Sequence, residues 1–300
     1  MPSLLPIVVT TPTGDIGHRV VEGLLRAGAP VRVVARDPSR LPTTVRERVE
    51  VVEGSHGDPE VVERAFAGVD AALWVAPPNP VAPSLAAAYV DFARPAAEAI
   101  RRQGVRRVVS VSALGHGTPR ERRAGLVTAS FEMDALLASA GAAFRALACP
   151  SFMDNVLRQV DAIRTQGTFY GPLDGAAKHP TCATADIAAA AARLLLDDAW
   201  TGAGHVAVLG PEDLSADDQA AIITAVLGRP VRYARVSPDA LEAQFRERGA
   251  SDAFVRGYLE MMAAKDDGLD DAEPRTAAST TPTSFHAWCE RELRPAIEAA

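Results

Sequence analysis

Residues 10–17, Thr-Thr-Pro-Thr-Gly-Asp-Ile-Gly, place two glycines three apart, directly after an apolar run and directly before a helix-phased one. That arrangement can receive a pyrophosphate: glycines let backbone amides approach the phosphates, and the positive end of the helix stabilises their charge. Thr11 stands where the usual dinucleotide fingerprint has its first glycine. The bland alternative is a turn that binds nothing, with Gly14 and Gly17 serving tight packing alone. Arg36 closes the next apolar run, where an acidic residue would hold a ribose 2′-hydroxyl and an arginine would accept a 2′-phosphate. This favours NADP over NAD. Asp37-Pro38 has the pattern of a helix N-cap with proline at the first position, so Asp37 is assigned to capping. Ser39 and Arg40, at that helix start, can add contacts to the phosphate.

The elements that must position these groups follow from the apolar pattern. Ile7, Val8 and Val9 form a strand; Ile16, Val20, Val21, Leu24 and Leu25 share one face of a helix; Gly28 sits at its left-handed C-cap; Val31, Val33 and Val34 form the next strand. A third strand at Val49–Val52 ends in Glu53-Gly54-Ser55-His56, a polar turn that passes near the adenine. Val69–Val75 is apolar enough for a strand buried on both faces. The Ala76-Pro77-Pro78-Asn79-Pro80 loop after it cannot be helix or ladder, and lies along the ribose and nicotinamide. Ser84–Gln103 reads as a helix broken or kinked at Pro95. Val105–Val111 and Phe144–Cys149 are further strands, with a helix from Leu126 to Ser139 between them whose inward residues include Phe131, Ala135, Leu136 and Leu137.

Asp186 is expected to cap a helix to Leu196, and His205–Leu209 to return as a seventh strand. The rest reads as mostly helical, with Asp266–Asp271 a solvated flexible linker and a last helix, Ser284–Ala299, kinked at Pro295. The fold class is therefore α/β, a Rossmann-like doubly wound parallel sheet with a smaller helical C-terminal domain over the substrate. Residues 1–155 form the core, with 186–210 returning to it; 156–185 and 211–300 form the smaller domain. Two loops leave the carboxyl edge of the sheet beside the expected nicotinamide, so His116, Phe152, Met153 and Asn155 are the candidate substrate contacts.

Composition narrows the classes. The chain has 300 residues, 48% of them hydrophobic, enough for a sizeable core. Its net charge of -7 leaves no electrostatic footprint for nucleic acid. No cleavable leader or long apolar span is evident, so a cytoplasmic location without membrane contact is expected. The three cysteines are widely spaced and read as reduced packing residues; the six histidines are dispersed, which gives no metal site. Only Lys178 and Lys265 are lysines. Nothing in the sequence fixes an oligomeric state.

Taken together, TTPTGDIG, VVARDPSRL, VVEGSHGDPEVVERAFAGVDAALWVAPP, GVRRVVSVSALG, ALACPSFMDNVL and HPTCATADIAAAAARLL resemble the NmrA-like branch of atypical short-chain dehydrogenases/reductases, over residues 5–196. The resemblance implies a Rossmann domain binding NADP(H). Carried onto this chain, it places the pyrophosphate at Thr11, Thr13, Gly14, Asp15, Ile16 and Gly17, and the 2′-phosphate at Arg36 and Arg40. Ser55 and His56 then flank the adenine, and Ala76 and Pro77 follow the ribose. Ser112 falls at the family's catalytic serine. Relatives often carry aspartate where Ser55 stands. The wider superfamily protonates its substrate with a Tyr-x-x-x-Lys pair, which is missing here: Tyr89, Tyr170, Tyr233 and Tyr258 are followed four residues on by Ala93, Asp174, Ser237 and Met262. In this the chain is similar to the angucyclinone ketoreductases of actinobacteria, such as those of the simocyclinone pathway. That similarity implies NADPH-dependent hydride transfer to an aromatic ketone or quinone. The missing pair suits two other readings equally: a non-catalytic NADP-sensing regulatory protein, and a redox-neutral isomerase or cyclase.

Overall fold

The computed structural model describes residues 5–300. Strands β1 (Ile7–Thr10), β2 (Val31–Ala35), β3 (Glu50–Glu53), β4 (Ala71–Trp74), β5 (Arg107–Ala113) and β6 (Ala143–Cys149) join an edge strand, Ala203–Ala207, in one seven-stranded sheet. Across the sheet the order is Ala203–Ala207, β6, β5, β4, β1, β2, β3, and every pairing is parallel. The order reverses between β1 and β4, the switch point at which such sheets bind ligands beyond their carboxyl edge.

Both faces are covered, as the unbroken burial of Ile7–Thr10 and Ala71–Trp74 requires. On one face helix α1 (Gly17–Arg26) and the helix Thr184–Leu196 bury Val20, Leu24, Ile187 and Leu195 against Val9, Val33 and Leu73. On the other, Pro59–Phe66, Phe92–Gln103 and Leu126–Ala138 bury Phe66, Ile100, Met133 and Leu137 against Val8, Ala72 and Trp74. A third core, containing Met153, Phe169, Ile223, Phe285 and Trp288, lies in the segments that follow β6. Two small sheets accompany it: Ser151–Phe152, His179–Cys182 and Asp213–Leu214 in one, Thr168–Gly171 and Arg232–Arg235 in the other.

Several expectations need correction, and each has a physical cause. Residues 266–271 are no solvated linker: Leu269 is fully buried and Asp270 nearly so, because the rare Lys265 is buried against Asp270 as an ion pair. Asp267 meets Arg120 at 2.7 Å and Asp266 meets Arg235 at 2.8 Å, so the repulsion among these carboxylates is offset by basic partners from distant segments. Asp186 does not cap its helix; it accepts from the backbone N–H and hydroxyl of Thr283. Asp154, thirty residues upstream of Thr184, takes the capping role, accepting from the Thr184 N–H at 2.9 Å and its hydroxyl at 2.7 Å. In Leu126–Ala138 the buried face carries Met133 and Asp134, while Ala135 is exposed. The kinks expected at Pro95 and Pro295 are taken up just upstream as wide turns, Ala87–Asp91 and Cys289–Leu293. A π-type turn there accommodates the amide that proline lacks.

Candidate functional site

Beyond the carboxyl edge of β1 and β4 lies a cleft of about 380 Å³. Its floor is fixed by Thr10, whose hydroxyl donates to the Leu73 carbonyl at 3.1 Å and accepts from the Val75 N–H at 3.0 Å, tying the ends of the two strands together. Thr11 then turns sharply, at φ 51, the one non-glycine residue with positive φ among those described. The missing fingerprint glycine is thus replaced in type but not in conformation. A left-handed threonine costs roughly 1–2 kcal/mol, and strain of that kind persists where the surroundings over-determine it.

The Thr11 carbonyl accepts from the Gly14 N–H at 3.0 Å and presses on Gly17, where a Cβ would fall 2.1 Å from it. Helix α1 starts with no side-chain cap and no acidic residue in its first turn. Its amide ends and positive dipole are left for an external anion, which is what a dinucleotide pyrophosphate supplies. The residues present therefore fit the dinucleotide implied by the sequence.

The cleft brings together Thr11, Thr13, Gly14, Asp15, Ile16 and Gly17 with Arg36, Arg40, His56, Ala76 and Pro77, and on the opposite wall Phe152 and Asn155. Arg36 and Arg40 form no ion pair among the described residues. Asp37 caps the short helix Pro38–Arg40, as its sequence suggests, by accepting from the Ser39 N–H at 3.0 Å.

Four candidates fall elsewhere. Ser55 does not line the cleft; its hydroxyl accepts from the Gly57 N–H and shapes the turn. Met153 is 2% exposed and belongs to the third core. Ser112 and His116 line a separate cavity of about 240 Å³, on the Leu126–Ala138 side of the sheet, which shares no lining residue with the cleft. The pleat decides this: Val109 packs on the α1 side, so Ser110 and Ser112 point to the other. There the Ser112 hydroxyl donates to Asp134, and His116 meets Phe131 edge-on at 5.2 Å. Cleft residues not anticipated from sequence include Asp154, Arg158 and Thr184. The one available signal was Arg158 standing four residues after Asp154. No tyrosine or lysine lines the cleft.

Two buried groups titrate in opposite senses. Burial pulls the His56 imidazole down to about 4, aided by the Arg36 charge and opposed by its hydrogen bond to the Val75 carbonyl. Burial pushes Asp134 up to about 6, against the hydrogen bond from Ser112. A depressed histidine contributes stability that is complete above its unfolded value of 6.5 and is lost as pH falls towards about 4. A raised aspartate contributes stability that is complete below its unfolded value of 3.8 and is lost as pH rises through about 6. Each amounts to ~3 kcal/mol. Relative to wild type, His56→Gln is therefore expected to gain stability on acidification from about pH 7.5 to about pH 4.5, and Asp134→Asn to lose it. Urea unfolding at the two pH values measures both; parallel shifts in the two variants would show that these groups do not titrate in those senses.

Known proteins share this fold. The NAD(P)H-binding family matches residues 12–198. The (4-alkanoyl-5-oxo-2,5-dihydrofuran-3-yl)methyl phosphate reductase of Streptomyces griseus is 36% identical over 242 residues, 78% of each chain. Quinone oxidoreductase 2 of Escherichia coli is 26% identical over 264 residues, 87% of each chain. Its structure with NADPH has a TM-score of 0.73, covering 93% of this chain and 97% of that one at 23% identity. An NmrA double mutant has a TM-score of 0.71 at 15% identity, covering 99% of this chain and 98% of that one, a likeness of fold alone. The chain shares the fold of NmrA, belongs to the NAD(P)H-binding family, and its cofactor is NAD(P)H.

Proposed function

We propose that this chain is an NADPH-dependent reductase of small conjugated acceptors, quinones and ring-conjugated or polycyclic aromatic ketones, working without a tyrosine–lysine pair. The carrying observation is the cleft itself. One end has an uncapped helix start with Arg36 and Arg40 beside it; the other has a wall of Val75, Ala76, Pro77, Pro78 and Phe152. Arg36 and Arg40 hold the 2′-phosphate and favour NADPH over NADH. The segments 156–185 and 211–300 close over the substrate. The relatives support the acceptor class: one is a reductase of an acylated furanone phosphate, the other a quinone oxidoreductase.

Bound NADPH supplies a hydride. The glycine turn fixes the depth of the dinucleotide, while Pro77, Pro78 and Phe152 limit how the acceptor can lie. General acid help is worth ~10² to 10⁴, whereas orientation reaches effective molarities of ~10⁵ to 10⁸ M, so placement is the larger contribution. A conjugated acceptor delocalises the negative charge left by hydride addition and takes its proton from water. Purified protein mixed with NADPH and a panel holding menadione, a tetracyclic aromatic ketone and the furanone phosphate should oxidise NADPH above the buffer rate. Tight NADPH binding with no turnover of any of them would overturn the reductase reading and leave a sensor.

A further inference from the structure

The charges lining the cleft divide unevenly between its two walls. Arg36 and Arg40 leave β2 on one side and are accounted for by the 2′-phosphate. Arg158 comes from the opposite wall, on the turn Met153–Gln159 that follows Ser151–Phe152. On the 3-10 turn Met153–Gln159, at three residues per turn, Arg158 falls on a different face from Asp154. Asp154 is already committed, both of its carboxylate oxygens accepting from Thr184, and Arg158 forms no ion pair among the described residues. Arg158 is exposed on that wall in a chain of net charge -7, so its guanidinium is open to a ligand entering the cleft. Its surroundings are amphipathic. Arg158 lies within electrostatic reach of Tyr258, whose ring packs on Phe245 at 4.8 Å, and Phe152 lines the same cleft.

We infer that Arg158 is a specificity residue that receives an anionic group of the substrate, a phosphate monoester or a carboxylate carried on an apolar body. This rests on the reductase reading and narrows it: the acceptor enters with its anion against Arg158 and its conjugated part against Phe152 and Pro77. A guanidinium binds such oxyanions by two parallel charge-assisted hydrogen bonds, which lysine cannot reproduce.

The test uses the full-length protein, wild type and the variants Arg158→Ala and Arg158→Lys, with two matched acceptors: the (4-alkanoyl-5-oxo-2,5-dihydrofuran-3-yl)methyl phosphate and the free alcohol from which the phosphate has been removed. Binding of each to the complex with oxidised NADP is read by calorimetry, and turnover separately. Wild type is expected to bind the phosphate more tightly than the alcohol by roughly 10- to 100-fold, with Arg158→Ala losing that preference, Arg158→Lys keeping part of it, and the alcohol affinity unchanged. The carboxymethyl analogue distinguishes a phosphate site from a general oxyanion site. Equal losses for phosphate and alcohol, no preference in wild type, or a matching loss of NADP affinity in Arg158→Ala would each overturn the assignment; the last would give Arg158 to the pyrophosphate. Binding without turnover would sink the reductase reading while leaving the anion site standing.

Discussion

Replacing Gly17 with alanine is expected to lower the melting temperature of the cofactor-free protein by several degrees and to abolish measurable NADPH binding, whereas Gly14→Ala leaves that melting temperature near wild type. The two glycines look equivalent in a fingerprint, but their surroundings differ. An alanine Cβ at Gly17 would lie 2.1 Å from the Thr11 carbonyl oxygen and 2.8 Å from its carbon, both backbone atoms that cannot rotate away. At Gly14 the nearest atom would be 3.5 Å away, an ordinary contact. Relief at Gly17 requires the strained turn at Thr11 to open, which costs about 3 kcal/mol or more and hence roughly 6 °C or more in a domain of this size. It also moves the amides that meet the pyrophosphate. Differential scanning calorimetry without ligand, followed by fluorescence titration with NADPH, separates the two effects; an unshifted Gly17→Ala melting curve would contradict the close approach.

Arg36→Ala is expected to weaken NADPH binding by roughly 10- to 100-fold, the worth of a charge-assisted hydrogen bond to phosphate, with NADH affinity little changed. Arg36 is exposed at the end of β2, lines the cleft and pairs with no carboxylate among the described residues, so its loss leaves no buried charge behind. The effect is therefore confined to the ligand. Because burial, and only secondarily the Arg36 charge, holds His56 neutral, the variant should raise the imidazole only slightly, visible by NMR titration. Equal losses for NADPH and NADH would show that the 2′-phosphate lies elsewhere.

What could be read from sequence was what is local. The strand–turn–helix–strand of residues 7–35, the left-handed Gly28, the Asp37-Pro38 cap and the order of the main strands all depend on neighbours within a few turns. The failures are of another kind. The resemblance puts Ser112 at the family's catalytic serine near the end of β5, and the loop after it suggests His116 for the substrate, but the face a strand residue takes depends on its pleat, and here that face belongs to a second cavity. Asp154 and Thr184 are thirty residues apart, and nothing in either local pattern announces that one caps the other's helix. Residues 266–271 have the composition of a solvated tail, and only the partners brought from elsewhere, Arg120, Arg235 and Lys265, make them structured.

Lys265, at the end of the helix Asp252–Asp266, and Asp270, in the turn after it, are buried together as an ion pair beside the fully buried Leu269. A dry ion pair of this kind adds little net stability over a hydrophobic pair, but a single uncompensated charge there costs roughly 3–5 kcal/mol. The partners are five residues apart on one segment, so the pair holds the exit of that helix: a chain running straight on after Asp266 would strand both charges. The pair thus works as a clasp: it commits the chain to one turn after the helix, and so sets Asp266 and Asp267 where Arg235 and Arg120 can meet them.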